Sequence, residues 1–356
     1  MKKTRYIHDI LTALLIAGWG CFLAACSQDS DDPGLADANV LRLSSCTRTE
    51  SPAFVDGHIL KLFLATKTAV ESTGSNKYNG TTWINEDRQS ATVKDMKQYW
   101  LYGAMTFGGN LGNMTIASDD YSQGATLTMK GLEPMVEDGK DPCVVVGVKS
   151  SASLDEAVPD DILDSERSFG YIGKPKDQNF VHLLFDHLYG SVTFLFTIDA
   201  NYAQLRTIKL KSLTLRTTQA KQLDLDVSID ATKTEGSPIG AIVPTVTTTA
   251  ATATSLNLFT NDSGKDITTI VANDIKTACF LPDYSSGMSI ECVYDVYDKA
   301  NGTPQNLGER TAVNTLSAPL FSVQRGDKLT LTLNVAPTYI YQLSDADLDN
   351  PTIKIN

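Results

Sequence analysis

The sequence predicts an all-β protein with two antiparallel β-sandwich domains behind an export signal. Three observations support this prediction: hydrophobicity alternates with a period of two in many short segments, helical signals are few, and a short apolar run follows a basic start. Many short strands with almost no helix between them favour antiparallel sandwiches over βαβ units.

The N-terminus has the charge and length profile of a secretion signal. Lys2, Lys3 and Arg5 precede a mostly apolar run over residues 10–23, which contains two glycines. A membrane-spanning helix needs about 20 apolar residues, so this run is too short to cross a bilayer. Residues 1–25 are therefore predicted to be a signal peptide.

Cleavage before Cys26 is favoured because the small residues Ala24 and Ala25 stand before it, whereas Trp19 stands just before Cys21. This arrangement resembles the lipobox of bacterial lipoproteins, which implies that Cys26 becomes the lipidated first residue of the mature chain. The alternative is an ordinary signal peptide with a chance Ala-Ala-Cys.

An acidic stretch, "SQDSDD", follows at residues 27–32. It resembles the export tag of Bacteroidetes-type lipoproteins, which implies a location on the outer face of the outer membrane. A flexible solvated tether would have the same composition. Because one acyl chain gives only marginal membrane binding and a second makes it stable, a cysteine with several chains would anchor the precursor.

Length and charge limit the number of domains and the classes of partner. The 356 residues include 30 Lys and Arg against 42 Asp and Glu, a net charge of −12, which disfavours nucleic acid and anionic lipid headgroups as partners. Without the signal peptide, the chain is still longer than one hydrophobic core usually serves. We expect a tether and first strand over 26–48, an N-terminal sandwich over 49–185, a C-terminal sandwich over 186–335, and a C-terminal extension over 336–356.

Period-two alternation marks the strands in chain order. The first half contains "ILKLFLA" (59–65), "QYWLYGAMTF" (98–107), "ATLTMKG" (125–131) and "CVVVGVK" (143–149). The second half contains "SVTFLFTI" (191–198), "RTIKLKSLTLR" (206–216), "QLDLDVSI" (222–229), "TSLNLF" (254–259) and "KLTLTLNV" (328–335). Helical signals are limited to a weak one over 153–164 and a turn over 199–204. The segment "TVTTTAATATS" (245–255) is compatible with an edge strand, a surface loop or disorder.

Cys279 and Cys292 lie in two predicted strands, "KTACFLP" and "MSIECVYDVYD", around the loop "DYSSG". If these strands pair as a hairpin, Cys279 falls opposite Cys292, and a disulfide is chemically permitted outside the cytoplasm. The alternative is two small buried apolar side chains. Cys143, in "CVVVGV", is expected in the core.

Motifs of catalysis are absent from the sequence: H-E-x-x-H, G-x-S-x-G, G-x-x-x-x-G-K-[ST] and G-x-G-x-x-G do not occur. We therefore predict no catalytic residues, no cofactor and no metal site. His182 and His187 are separated by an odd spacing, which puts them on opposite faces of a strand. Since neither belongs to a Cys/His cluster in the sequence, each is expected to be a satisfied or exposed histidine.

Two further patterns have both a binding and a packing interpretation. Asp345, Asp347 and Asp349 have the spacing of the first ligands of a calcium loop, but the glycine at the sixth position and the glutamate at the twelfth are missing. A solvated linker is the expectation there. Trp83 and Trp100 could form a sugar-stacking platform, and the alternative is that both are packing residues.

Several stretches together resemble the fimbrillin family, the subunits of the lipoprotein-derived pili of Bacteroidales. Near the mature start, "CTRTESPAFVDGHILKLFLA" resembles the family's Thr-Arg stretch, followed by a Phe, an Asp-Gly step and an apolar strand. Later elements of the family resemble "KYNGTTW" with "YWLYGAMTF", "FVHLLFDHLYGSVTFLF" and "FSVQRGDKLTLTLNV". Gly103 replaces the aromatic and proline punctuation usual around that strand, which leaves the local register open.

The resemblance implies two transthyretin-like sandwiches and a maturation step in which an arginine-specific protease removes an N-terminal strand. The matching position is Arg48, whose Ser, Thr and Glu neighbours suit an exposed stretch, and Arg42 is the local competitor. The cut would remove Cys26, its lipid and the strand "NVLRLSS".

Strand removal leaves an open groove with unpaired backbone groups and bare apolar side chains, which a strand from another subunit can fill. The candidate donor is the C-terminus. Tyr339, Tyr341 and Leu343 share one face of "TYIYQL", and Ile353 and Ile355 share one face of "TIKIN". The alternative is that both strands fold back into their own domain.

The leading hypothesis is a structural subunit, or an accessory tip or anchor subunit, of an adhesive fimbrium, made as an outer-membrane lipoprotein and without enzymatic activity. Its partners would be other fimbrial subunits, the outer membrane through lipidated Cys26, and surface ligands of host or bacterial cells. A rival is a surface glycan-binding lipoprotein that stays anchored, and a third hypothesis is a secreted hydrolase, which would need paired carboxylates in a cleft. An anchor would keep Cys26, a tip would lack a usable donor strand, and a stalk would lose Cys26 and need the donor.

Overall fold

Strands dominate the computed structural model of the protein, with about 64% of the chain in strands and about 5% in helices. The all-β prediction is therefore confirmed. The structure describes residues 39–47, 55–80, 83–85, 90–108, 113–153, 167–217, 220–249, 251–282, 288–299, 303–316, 323–339 and 346–355. No helix among these residues is long and apolar enough to cross a membrane.

Among the described residues, eleven strands precede residue 190. They are β1 (Arg42–Thr47), β2 (His58–Ala65), β3 (Val70–Tyr78), β4 (Trp83–Ile84), β5 (Gln98–Phe107), β6 (Met114–Ala117), β7 (Gly124–Leu132), β8 (Met135–Glu137), β9 (Cys143–Ser151), β10 (Gly170–Ile172) and β11 (Phe180–His187).

The described part of the chain from residue 190 onward contains ten more strands and one short α-helix. They are β12 (Gly190–Ile198), α1 (Ala200–Leu205), β13 (Arg206–Thr217), β14 (Gln222–Asp230), β15 (Ile239–Thr248), β16 (Thr254–Asp266), β17 (Ala278–Phe280), β18 (Met288–Asp298), β19 (Gln305–Thr315), β20 (Lys328–Tyr339) and β21 (Ala346–Ile355). Two 3-10 turns, Ile267–Thr269 and Ala272–Asp274, lie between β16 and β17. The helix α1 occupies the predicted turn and is capped by Asp199, the residue before it, whose carboxylate accepts hydrogen bonds from the backbone N–H groups of Asn201 and Tyr202.

The alternating pattern of the sequence decides which face of each strand is buried. In β14, Leu223, Leu225, Val227 and Ile229 are buried while the residues between them are exposed or half-buried. In β12, Val192 and Phe194 are fully buried, and the next two apolar residues on that face are half-buried against the same core. The face predicted for "SVTFLFTI" is confirmed.

The strands form four sheets. The largest has the order β1-β11-β9-β5-β2-β3-β4, with β10 also paired to β5. The others have the orders β21-β20-β12-β17-β8, β16-β13-β18-β19 and β15-β14-β7-β6. Most strand pairs are antiparallel as predicted, but β1 runs parallel to β11 and β20 runs parallel to β12.

Both faces of the largest sheet are buried. Its front face packs on the sheet of β6, β7, β14 and β15 through residues such as Tyr102, Ala104 and Val144. Its back face carries a second core, here called the back-face cluster. The buried members of that cluster are Leu41, Leu43, Leu60, Leu62, Leu64, Ala91, Val93, Tyr99, Leu101, Met105, Cys143, Val145, Val148, Tyr171, Val181, Leu183 and Phe185.

The strand pairing crosses the boundary expected near residue 186. From the second half of the chain, β14 pairs with β7 from Leu223 opposite Leu132 to Asp230 opposite Gly124, and β15 lies beside β14. In the other direction, β8 pairs with β17 in a sheet of the second half. The apolar face of β14 fits the core of either sandwich, so its alternation could not reveal which sheet it joins.

A third core lies between the two remaining sheets. It joins residues of β12, β17 and β20 to residues of β13, β16 and β18, with Phe194, Leu213 and Tyr294 among its buried side chains. The β21 strand, at the edge of the first of these sheets, contributes Ile353 to the same core. The last strand of the chain therefore belongs to the C-terminal sandwich.

Gly103 lies in β5 within an uninterrupted register, opposite Leu62 of β2. A Cβ at this position would lie 2.8 Å from the carbonyl oxygen of Lys61 and 3.3 Å from side-chain carbons of Leu62 and Val145. The two strands therefore need a residue without a side chain here, and the register left open by the sequence is regular.

We expect Gly103→Ala to lower the free energy of unfolding by about 1–3 kcal/mol, because the added methyl group overpacks a filled site next to backbone. Chemical denaturation followed by far-UV circular dichroism measures this change. The matched control is Gly240→Ala in β15, where the added Cβ would lie no closer than 3.6 Å to its neighbours. Equal stability of the two variants would contradict the close approach at Gly103.

Candidate functional site: the first and last strands

The first strand lies at the edge of the largest sheet. The Cα register of β1 with β11 runs from Arg42 opposite Phe180 to Thr47 opposite Phe185. Within the described residues, β1 has no second strand of that sheet on its other side. An edge strand of six residues can leave without breaking the order of the strands behind it.

A short segment of the chain holds the start of β1. The backbone N–H of Leu41 donates to the carbonyl of Ala91, and the N–H of Val93 donates to the carbonyl of Asn39, both at 2.9 Å. Thr92, between these two partners, donates its own N–H to the Ser72 hydroxyl of β3 at 2.9 Å. The segment 91–93 thus connects β1 to the far side of the back-face cluster.

Leu43 of β1 and Leu41, the residue just before the strand, close the back-face cluster. Leu41 is 3% exposed and Leu43 is 6% exposed, and both belong to the cluster together with Val181, Leu183 and Phe185 of β11. Removal of β1 would therefore leave one edge of β11 unpaired and uncover an apolar groove over these residues.

Arg42, the predicted competitor for cleavage, lies inside the paired strand. Its backbone N–H donates to the carbonyl of Asn179 at 2.9 Å, and its guanidinium lies 5.5 Å from the centre of the Phe180 ring and 3.8 Å from the carboxylate of Asp177. A protease must extract a paired strand to cut there. Arg48 and Cys26 lie outside the described residues.

The C-terminal strand β21 pairs antiparallel with β20 of its own chain. Ile353 lies opposite Val335 and Ile355 lies opposite Leu333, and the register shifts between Ala336 and Thr338. Ile353 is 3% exposed, whereas Ile355 is half-buried. For these residues, the intact chain adopts the alternative in which the last strand folds back into its own domain.

The other three residues of the proposed donor are less well placed by the structure. Tyr339 ends β20, with its Cα opposite Ala346, and Tyr341 and Leu343 lie outside the described residues.

Three side chains of the C-terminal sandwich make polar contacts with β21. The hydroxyl of Tyr202 donates to the carbonyl of Leu348 at 2.8 Å, and that of Tyr294 donates to the carbonyl of Pro351 at 3.1 Å. The guanidinium of Arg206 lies 2.7 Å from the carboxylate of Asp349. The sequence around residues 202, 206 and 294 contains no signal that predicts their contacts with the C-terminal strand.

The ion pair also bears on the calcium-loop spacing of Asp345, Asp347 and Asp349. Asp349 pairs with Arg206, and the pair is partly exposed, with 55% of the Asp349 side chain accessible. Asp345 lies outside the described residues. The ion pair with Arg206 indicates that Asp349 anchors β21 to the C-terminal sandwich.

The predicted cysteine hairpin is wrong. β17 pairs with β12 and β8, so that Cys279 lies opposite Ser191 and Val136, whereas Cys292 in β18 lies opposite Leu213 and Ala312 in another sheet. Both cysteines are free and buried, in different cores. Burial raises the pKa of Cys292 to about 12 and also raises that of Cys279, so each is a protonated, buried thiol at neutral pH.

Trp83 and Trp100 do not form a common platform. Trp83 packs against the back-face cluster, with its ring 6.3 Å from that of Phe185 and 5.4 Å from that of Tyr78, whereas Trp100 packs against the front-face core. Because the two side chains lie on opposite faces of one sheet, they cannot stack on the same sugar. The packing interpretation is supported for both.

We expect Trp83→Ala to lower the free energy of unfolding by about 1–3 kcal/mol, because a half-buried aromatic side chain loses its contacts with Phe185 and Tyr78. Thermal melting measures the loss, and its matched control is Ile84→Ala at the neighbouring exposed position. Isothermal titration with polysaccharides serves as the second readout. Saturable sugar binding that disappears in a fully stable Trp83→Ala protein would contradict the packing role.

The two histidines of β11 lie on opposite faces, as predicted, and both are buried. The expectation that neither belongs to a Cys/His cluster is wrong for His187. Its Nδ1 lies 2.7 Å from the carboxylate of Asp141 and 3.4 Å from the thiol of Cys143. The antiparallel pairing of β9 with β11 places Cys143 directly opposite His187, a neighbourhood that their separation in sequence conceals.

No protein-family model matches the chain, and no curated protein has a significant sequence match to it. The chain resembles solved structures of Bacteroides proteins over most of its length. One is a "putative cell adhesion protein" from Bacteroides uniformis, with a TM-score of 0.44, 11% identity, and coverage of 90% of this chain and 97% of that one. Another is a fimbrial protein from Bacteroides vulgatus, with a TM-score of 0.41, 11% identity, and coverage of 89% and 98%.

A third similar structure is a fimbrial protein from Bacteroides ovatus, with a TM-score of 0.34, 9% identity, and coverage of 84% of this chain and 50% of that one. Identities and TM-scores this low do not determine a shared function. The geometry of β1 and β21 is therefore the basis for a functional proposal.

Proposed function

We propose that the protein is a subunit of an adhesive fimbrium on the cell surface, and that subunits join by β-strand addition after removal of β1. The observation that carries this proposal is the position of β1. It is a short edge strand, it covers an apolar groove with two buried leucines, and it is joined to the rest of the chain through residue 48, the proposed cleavage site.

Cleavage after Arg48 would leave the whole of β1 as a separate peptide held only by non-covalent contacts. Loss of that peptide exposes the outer backbone groups of β11 and the side chains that Leu41 and Leu43 had covered. A groove along the open edge of β11 favours pairing with another strand, because unpaired backbone groups and bare apolar side chains are both unfavourable in water.

The proposed donor is the C-terminal segment of a neighbouring subunit, with Tyr339, Tyr341, Leu343, Ile353 and Ile355 as its apolar side chains. Its last part, β21, is an edge strand of ten residues, long enough to replace the six-residue register of β1. A buried aliphatic side chain contributes about 1.5–3 kcal/mol, and a new backbone hydrogen bond about 0.5–1.5 kcal/mol. These gains must exceed the cost of separating β21 from β20 in the donor.

This scheme assigns a role to lipidation as well. A precursor acylated at Cys26 would be held at the outer membrane, and the cut at Arg48 would release it into the fimbrium. A subunit that keeps Cys26 would be an anchor, and one whose C-terminus stays paired with β20 would be a tip that contacts ligands on host or bacterial surfaces. The scheme involves no catalytic step.

The test is assembly of the trimmed protein. Purified protein is cut with an arginine-specific protease, mass spectrometry verifies a new N-terminus at Thr49, and size-exclusion chromatography and electron microscopy follow the products. We expect polymers from the cut protein and monomers from the uncut protein and from Arg48→Gln. A protein that begins at Thr49, has lost β1 and stays monomeric at high concentration would overturn the proposal.

A further inference from the structure

Three buried side chains with different ligand chemistries meet where β9 begins and β11 ends. Cys143, the first residue of β9, lies directly opposite His187, the last residue of β11. Asp141 precedes Cys143 by two residues and turns its carboxylate to the same point. The three ligand atoms all lie within 4.8 Å of one another.

Both strongest contacts of the group involve one ring nitrogen. His187 Nδ1 lies 2.7 Å from Asp141 Oδ2 and 3.4 Å from Cys143 Sγ. A single N–H on that nitrogen can donate along only one of these directions, and the shorter distance places it toward the carboxylate. Without a metal ion, the sulfur of Cys143 therefore faces an N–H of the ring. It does not face a ring nitrogen that could accept a hydrogen bond from the thiol.

Burial makes the charge of Asp141 costly. Its side chain is 4% exposed and that of His187 is 6% exposed, and a buried carboxylate requires a positive partner. Among the described residues, the partner of Asp141 is the ring of His187, and Asp141 makes no ion pair with a lysine or arginine.

Two further carboxylates and one guanidinium lie in the surroundings of the group. The carboxylates of Asp186 and Asp138 both favour a positive charge on His187. The carboxylate of Asp186 also lies 3.8 Å from the guanidinium of Arg325. The site thus favours a cation.

A second, independent observation is the state of the His187 ring. Its Nε2 is buried and has no hydrogen-bond partner among the described residues. Among the described residues, the contacts of Nδ1 with Asp141 and Cys143 are therefore the polar contacts that orient the His187 ring.

We propose that Asp141, Cys143 and His187 bind a divalent transition-metal ion, with Zn²⁺ the best match. A thiolate, an imidazole and a carboxylate together suit zinc and its neighbours, and they do not suit the oxygen-preferring Mg²⁺ and Ca²⁺. In tetrahedral zinc sites the ligand atoms lie roughly 3.3–3.6 Å apart, given metal–ligand bonds of about 2.0–2.3 Å. The sulfur–nitrogen distance of 3.4 Å already fits, whereas the carboxylate of Asp141 must move away from Nδ1 and toward the sulfur to complete the tetrahedral geometry.

Such an ion would be structural and goes beyond the proposed role in a fimbrium. It would tie the start of β9 to the end of β11, two residues beyond Phe185, the last register partner of β1. Binding would also convert the Cys143 thiol to a metal-bound thiolate with release of its proton, and the proton on His187 Nδ1 would have to leave that nitrogen so that its lone pair could bind the metal.

The test is a titration of the purified, metal-free full chain with Co²⁺, which reports thiolate ligation through a charge-transfer band in the near ultraviolet. We expect one Co²⁺ per chain with that band, displacement by Zn²⁺, and a higher melting temperature with Zn²⁺ than with chelator. In Asp141→Asn and His187→Asn, the affinity should fall at least about tenfold, and in Cys143→Ser the band should disappear. The control is Cys292→Ser, a buried free thiol of the C-terminal sandwich, which should keep the band.

Circular dichroism verifies that each variant is folded. If Cys143→Ser does not fold, Asp141→Asn and the effect of Zn²⁺ on the melting temperature of the unmodified protein decide the question. The proposal is overturned if the unmodified protein binds no stoichiometric Co²⁺, if the band persists in a folded Cys143→Ser protein, or if Zn²⁺ leaves the melting temperature unchanged.

Discussion

The double substitution Leu41→Ala and Leu43→Ala is expected to lower the free energy of unfolding of the intact chain by at least about 4 kcal/mol. Each leucine is almost fully buried in the back-face cluster, and truncation of a buried leucine to alanine usually costs about 2–5 kcal/mol. Because Leu43 lies on the strand that fills the groove and Leu41 immediately precedes it, we expect β1 to separate before the rest of the sheet. Denaturation curves measure the stability, and limited proteolysis at Arg48, which both this variant and its control retain, measures the separation.

The matched control for this prediction is Arg42→Gln, on the same strand between the two leucines. The Arg42 side chain is partly exposed and its contact with Asp177 is a surface one, so little change in stability is expected. If the double leucine variant were as stable and as resistant to protease as Arg42→Gln, β1 would not be the cover of the groove.

The second large effect is expected at the other end of the chain, where Ile353→Asp should free β21 from β20. A carboxylate in place of a side chain that is 3% exposed cannot remain in the core of the C-terminal sandwich. Loss of the isoleucine side chain alone costs about 2–5 kcal/mol. We expect faster hydrogen exchange in residues 346–355 and, in the trimmed protein, loss of polymerisation, because the same side chain would have to enter the groove of the next subunit.

Lys354→Gln serves as the control, since Lys354 is the exposed neighbour of Ile353 on the same strand. It should keep both the protection of β21 and polymerisation. If Ile353→Asp polymerised as well as Lys354→Gln, the donor would have to be a different segment.

Local pattern was enough to find the strands with a clear apolar alternation. The segment predicted as "QYWLYGAMTF" is β5 with the same bounds, and β14 and β20 begin at the predicted residues. The failures are strands without such a pattern. β3 and β19 are largely polar and half-buried or exposed, so their alternation carries little information, and they form because a neighbouring edge offers backbone partners.

Partner choice was much harder to predict than strand existence. The cysteine hairpin failed because β17 is only three residues long and completes a sheet with β12 and β8, while sequence proximity favoured β18. The parallel pairs β1–β11 and β12–β20 join segments more than 100 residues apart, and no local signal specifies such a pairing.

At the candidate site too, local pattern predicted the strands but not their tertiary contacts. The sequence indicated a first strand that can be removed and a last strand with apolar residues, because both conclusions depend on local composition and a family resemblance. It did not indicate that Leu41 and Leu43 cover β11, or that Tyr202 and Tyr294 hold β21, since these contacts depend on the tertiary arrangement. The group around His187 was missed for that reason too.

The most direct measurement of the central claim is hydrogen exchange of β11 in the trimmed protein. Residues 180–185 are followed by mass spectrometry in the uncut protein, in the protein that begins at Thr49, and in the latter with a synthetic peptide of residues 338–356. We predict slow exchange in the uncut protein, fast exchange once β1 has left, and renewed protection with the peptide but not with its Ile353→Asp version. Exchange at 180–185 that does not change when β1 is removed, or that no donor peptide slows, would contradict the account.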